Sequence, residues 1–260
     1  MLFAAALTLL AGLASGLGGM ASIIRSPGGR SFLPGSLGFS AGVMIYVSMV
    51  ELLPQATENL TATASGRLGA WWAVGSFFAG IALIAVIDRL VPDRINPHEP
   101  NLAAHTTPRK DALVRTGLIT AAAVGLHNFP EGFATFMSAL DDPGLGIPIA
   151  VAIGIHNIPE GIAVAVPIHE ATGSRTKAAL AAWASGLAEP LGALIGYALL
   201  RPWITDTTLG VVLAGVAGIM VFISFDELLP TAQEYGQHHT ATYGLMAGMA
   251  VMALSLLLLG

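Results

Sequence analysis

The chain has 260 residues, of which 54% are hydrophobic and 10% charged, with a net charge of -5 and a mean hydropathy of +0.73. Soluble domains carry about 25% charged residues, so this composition excludes an ordinary soluble protein and predicts an all-α integral membrane protein. No basic stripe is present to meet nucleic acid, and the absence of cysteine excludes disulfides and leaves any metal to imidazole, carboxylate, amide, backbone carbonyl, water or Met.

Apolar runs long enough to cross about 30 Å of hydrocarbon predict eight spans in one polytopic membrane domain covering 1–260. They lie at 2–24, 36–56, 70–91, 113–140, 147–168, 178–200, 209–233 and 243–259. Helices are required, because a lipid-facing strand leaves backbone groups unpaired and the alternation of a membrane barrel is absent. The first run ends near Ala14-Ser15-Gly16, which resembles a signal cleavage site, but no Lys or Arg precedes it, and it is read as a span.

Basic residues set the orientation. With the N-terminus outside, cytoplasmic links carry Arg25, Arg30, Arg89, Arg94, Arg109, Lys110, Arg115, Arg175 and Lys177, and the outer side keeps Arg67 and Arg201. This bias predicts that both termini face out and that the link 92–112 is cytoplasmic. His98, Glu99 and His105 lie in that link among prolines, and read as a solvated segment rather than a metal collector. His238 and His239 read as a solvated turn, with a cytoplasmic release site as the alternative.

The second span repeats in the seventh. Gly42-Val-Met-Ile-Tyr-Val-Ser-Met-Val-Glu51-Leu-Leu-Pro54 matches Gly218-Ile-Met-Val-Phe-Ile-Ser-Phe-Asp-Glu227-Leu-Leu-Pro230 at a constant offset of 176 residues, from 42 to 218. An odd number of crossings separates the copies, so they run in opposite directions as an inverted repeat. Glu51 and Glu227, with Asp226 beside the latter, sit near the ends of these spans and are candidate gate groups; a role at a helix end fits them equally well.

Spans four and five carry a second repeat at an offset of 29 residues, from 125 to 154. His127-Asn128-Phe129-Pro130-Glu131-Gly132 returns as His156-Asn157-Ile158-Pro159-Glu160-Gly161. Within each, His, Asn and Glu at i, i+1 and i+4 share one helix face. Counting inward along antiparallel spans sets Glu131 opposite His156 at a depth of roughly 14 Å and His127 opposite Glu160 at roughly 20 Å. Pro130 and Pro159 free the carbonyls of Leu126 and Ile155, while Gly132 and Gly161, with Gly125 and Gly154, permit close helix approach. Span six adds Ser185 and Glu189, one turn apart and central. A lone His-x-x-x-Glu in a membrane helix is most simply a hydrogen-bonded structural pair. Two copies, a third glutamate and no buried Lys or Arg to neutralise them favour a cation site. A zinc protease is disfavoured, because no His-Glu-x-x-His arrangement is present. A proton-coupled carrier of an organic solute remains open on these residues alone.

His-Asn-x-Pro-Glu-Gly on two consecutive spans, Ser-Gly-x-x-Glu-Pro on the next and Glu-Leu-Leu-Pro on spans two and seven closely resemble the ZIP (Zrt/Irt-like) metal permeases, particularly a bacterial branch, along the whole chain. The resemblance implies eight transmembrane helices with inverted repeats in a 3+2+3 arrangement, in the bacterial cytoplasmic (inner) membrane. It implies uptake of divalent cations into the cytoplasm, with Zn²⁺ prominent and Fe²⁺, Mn²⁺, Co²⁺ and Cd²⁺ as further ions, and neither an enzymatic reaction nor a cofactor. One metal site would use His127, Glu131, His156 and Glu160, and the adjoining one Asn128, Glu131, Asn157, Glu160 and Glu189, bridged by Glu131 and Glu160. Some relatives have an acidic residue at the position of Asn157, so the site here carries less negative charge. The partners it implies are divalent metal ions, the lipid bilayer and a second copy in a homodimer.

Overall fold

The computed structural model describes residues 1–24, 32–64, 66–90, 125, 128–141, 143–234 and 238–259. Among the described residues the secondary structure is helical throughout, with no strand. The elements are α1 (Leu2–Ile24), α2 (Phe32–Val47), α3 (Leu53–Thr63), α4 (Gly66–Leu90), α5 (residues 128–141), α6 (Pro143–Thr172), α7 (Arg175–Gly186), α8 (Ala188–Leu200), α9 (Asp206–Ile223), α10 (Leu229–Glu234) and α11 (His238–Leu259). Seven stretches among the described residues are long and apolar enough to cross a membrane: Leu2–Ile23, Pro34–Thr63, Gly66–Ile87, Gly146–Val166, Arg175–Trp203, Asp206–Gln233 and His239–Leu258. The chain is a multi-pass all-α membrane protein. Half of the expected span at 113–140 and the whole link 92–112, with His98 and His105, lie outside the described residues.

Local chemistry accounts for the breaks. Gly173, at φ 67°, closes α6, where its N–H reaches the carbonyl of His169 at 2.8 Å, the left-handed ending that glycine adopts without strain. Ser174 then caps α7 by accepting from the Lys177 N–H at 3.3 Å, and Thr205 caps α9 by accepting from the Thr208 N–H at 3.2 Å. These side chains satisfy donors that the first helical turn leaves open.

Two departures from straight spans follow from proline. Between α2 and α3 lies a π-helical turn, Ser48–Leu52, in which the Leu53 N–H bonds the Ser48 carbonyl. Between α9 and α10 the same turn recurs at Ser224–Leu228, with the Leu229 N–H on the Ser224 carbonyl. Pro54 and Pro230 each follow the wide turn by two residues. A proline ring crowds the carbonyl one turn earlier and offers it no N–H; one extra residue in the turn moves that carbonyl aside. The expected single span at 178–200 is two helices, α7 and α8, broken at Leu187. Pro190 there removes the N–H that would have bonded the Gly186 carbonyl.

The helices pack in two groups. One joins α1 to α6, α7 and α8, with α5 lying against α8, where an atom added to Gly132 would strike the Glu189 carbonyl and one added to Gly192 the Phe129 carbonyl. The other joins α2 to α11, and α9 to α3 and α4. The groups meet where α2 and α11 touch α6. Phe136 on α5 packs edge-on to Tyr197 on α8, with ring centroids 5.3 Å apart. Met44, Met137, Met220 and Met252 are buried packing residues, whereas Met49 and Met246 are exposed.

Candidate metal centre

Three helices of one packing group carry a cluster of polar side chains to the interior. Asn128 and Glu131 come from α5, His156, Asn157 and Glu160 from α6, and Glu189 from the first turn of α8; all six are completely buried. Asn128 and Glu131 on α5, and His156, Asn157 and Glu160 on α6, all turn to the interior, and Gly132 and Gly161 bring the backbones together. On α6, an atom added at Gly161 would strike the Ser15 carbonyl of α1. His127 lies outside the described residues, so the pairing of His127 with Glu160 does too.

Oε1 of Glu131 stands 2.9 Å from Nε2 of His156, the juxtaposition that counting along antiparallel spans requires. Nε2 of His156 is 3.8 Å from Oε1 of Glu160. The two motif glutamates therefore flank one imidazole. The second layer runs through asparagine. Asn157 donates from Nδ2 to the Ala11 carbonyl at 2.9 Å and, in a short contact, to Oε1 of Glu189. Asn128 donates from Nδ2 to the Ser185 carbonyl at 3.0 Å. Both amides are thus anchored by nitrogen.

The anchoring leaves acceptors behind. Oδ1 of Asn128, Oδ1 of Asn157, Oε2 of Glu131 and Oε2 of Glu189 are buried without a hydrogen-bond partner among the described residues. A buried acceptor without a donor costs about 1–3 kcal/mol, and a native interior keeps such groups only for a reason. Four of them, with one imidazole, form a set of oxygen and nitrogen donors suited to borderline and hard divalent cations. Among the described residues, no three His, Asp or Glu side chains stand together as a set that could hold a metal ion by themselves, so the amide oxygens are needed to complete the donor set.

Two contributors were invisible in the sequence. Ser40, on α2, donates to Oε1 of Glu160 at 3.0 Å; the serine is one of several in the spans, and no local pattern says which faces a glutamate. The Ala11 carbonyl is a backbone group in an unremarked Ala-Gly stretch. Glu51 and Asp226 are half-buried in the two π turns, and the Glu227 side chain lies outside the described residues. His239 is exposed and stacks on Tyr243 at 6.3 Å; the His238 side chain is not described.

Comparison with known proteins joins the fold and the cluster to a family. The sequence profile described as "ZIP Zinc transporter" matches residues 95–256. The protein named zinc transporter ZupT of Corynebacterium efficiens is 61% identical over 99% of this chain and 97% of its own length. Those of Clostridium perfringens, at 54% over 99% and 96%, and Chlorobium phaeovibrioides, at 58% over 97% and 96%, bear the same name. Identity at this level over nearly the full length, on an all-helical membrane fold, shows that the chain belongs to the ZIP zinc-transporter family.

Proposed function

We propose that the protein takes up zinc into the cytoplasm through the cluster formed by His127, Asn128, Glu131, His156, Asn157, Glu160 and Glu189. The observation that carries this reading is the set of buried acceptor oxygens on Asn128, Glu131, Asn157 and Glu189 that have no donor among the described residues, in the cluster that holds His156. Such a set holds a cation better than it holds itself. Iron, manganese, cobalt and cadmium enter the same donor set, because its oxygens and single described imidazole do not select sharply among divalent ions. Relatives named zinc transporters support zinc as the principal cargo.

In this reading eight helices in a 3+2+3 inverted arrangement cross the bacterial inner membrane as one domain, with both termini outside. Support comes from the 176-residue repeat and from the π turns that recur at the same offset, 48 to 224. The group of α1, α5, α6, α7 and α8 carries the metal, and the other group moves against it. Glu51, Asp226 and Glu227 serve as gate groups at the two mouths.

The test is uptake into liposomes loaded with a metal-sensitive dye. The wild type takes up Zn²⁺ saturably, and Glu131→Ala or Glu160→Ala lowers the rate at least tenfold. Absence of uptake by the wild type, or uptake unchanged in both variants, overturns the proposal.

A further inference from the structure

Ser40 is a fully buried hydroxyl on α2, and its partner, Glu160, lies 120 residues away on α6. The donor belongs to one packing group and the acceptor to the other. The same Oε1 of Glu160 is 3.8 Å from Nε2 of His156, so it sits between a hydroxyl from α2 and the imidazole. A carboxylate anchored through one oxygen has its terminal torsion fixed, and with it the direction of the second oxygen. Around Ser40 on α2 the buried residues Leu37, Ala41, Val43 and Met44 are apolar, and the next hydroxyl on that face, Ser36, lies a full turn before it. Hydrogen bonds to a carboxylate are roughly twice as strong as neutral ones, and less water competes in such surroundings.

We propose that Ser40 is a positioning residue for transport: it holds Glu160 in its ligand orientation in one placement of the two packing groups, and the bond breaks as α2 and α6 shift past each other. The proposal rests on the reading of Glu160 as a metal ligand. It assigns to α2 a state-dependent hold on the site. Removing the hydroxyl weakens cation capture in that placement without hindering departure from it, so affinity falls while the maximal rate does not.

Four proteins test this: wild type, Ser40→Ala, Ser40→Thr and Ser40→Val. Thr keeps the hydroxyl and Val has nearly the same shape without it, so their difference isolates the hydrogen bond from the added methyl. Zinc uptake in liposomes gives KM and Vmax, and zinc titration of the purified proteins in detergent gives Kd. Ser40→Ala and Ser40→Val raise KM and Kd about tenfold, the effect of one hydrogen bond to a charged group, with Vmax at or above the wild-type value. Ser40→Thr stays close to wild type. Unchanged KM and Kd in the Ala and Val variants, an equal shift in Thr and Val, or a loss of Vmax at constant KM would each overturn the role of Ser40. A wild type that takes up no zinc strikes instead at the transport reading, which separates the two failures.

Discussion

Asn157 uses one amide nitrogen for two bonds, to the Ala11 carbonyl of α1 and to Glu189 of α8. The residue thereby ties three helices together while turning its carbonyl oxygen inward. Asn157→Leu removes the donor and strands a buried carbonyl and a buried carboxylate, each orphan costing about 1–3 kcal/mol. For a chain of this size about 1 kcal/mol lowers Tm by roughly 2–4 °C; thermal unfolding in detergent should therefore show a drop of several degrees, and zinc uptake should be lost with it. Asn128→Leu affects one bond, to the Ser185 carbonyl, and should lower Tm by less. Most of these side chains were legible beforehand, because a hexapeptide occurring twice in apolar spans points to its own polar members. What the sequence did not reveal was where the amide protons go. Their acceptors are backbone carbonyls, of Ala11 and Ser185, and every residue carries one. Ser40 escaped for a related reason: a small hydroxyl in a membrane helix is ordinary until the helix across from it is known.

At the level of elements, the π turns at Ser48–Leu52 and Ser224–Leu228 are the clearest departure from regular helix. In each, the N–H of the following leucine is taken by the serine carbonyl and the next residue is proline. The carbonyls of Met49 and Val50, and of Phe225 and Asp226, thus lose the donors a regular helix would supply. Pro54→Ala or Pro230→Ala returns one N–H and lets the wide turn relax to α geometry. That relaxation rotates the residues after the turn by about 100° relative to those before it. Either variant should keep or raise Tm while reducing uptake severalfold; a lower Tm with normal uptake would mean that the turns serve packing alone. The repeat of Glu-Leu-Leu-Pro was readable from sequence, but the extra residue was not. In a span with no continuous polar face, hydrophobic periodicity does not register a one-residue slip, and the break at Leu187 was hidden in the same way.

Across the whole molecule, polar contacts show which ends lie together. Thr207, at the start of α9, donates to Thr63, at the end of α3, over 3.1 Å. Tyr197, near the end of α8, donates to the Met1 sulfur over 3.8 Å. Trp71, Trp72 and Trp203 are exposed close in sequence to Arg67 and Arg201, as interfacial aromatics are. In the proposed topology this end faces out. The protein has no cysteine of its own, so single introduced thiols report orientation without background. Thr207→Cys should react with a membrane-impermeant maleimide in intact cells, and Ser174→Cys, in the Gly173 turn, only after permeabilisation; the opposite pattern reverses the topology. That the chain crosses the membrane several times as helices was legible from hydropathy, because lipid imposes an apolar surface and internally paired backbone on every spanning residue. The grouping of helices was not, since a packed face and a lipid face draw on the same apolar residues.

The seam between α2 and α11 carries one more consequence. An atom added to Gly38 or Gly42 would collide with the carbonyls of Ala241 or Leu245, and one added to Gly244 or Gly248 with those of Gly35 or Phe39. None of these four glycines belongs to the buried cluster of histidine, asparagine and glutamate. In a saturation mutagenesis screen for growth on scarce zinc they should nevertheless tolerate as few replacements as Glu131, with even alanine disfavoured at Gly42. A map of mutational intolerance would then show two signals of equal height, one tracing the cargo and the other tracing only how closely two backbones lie.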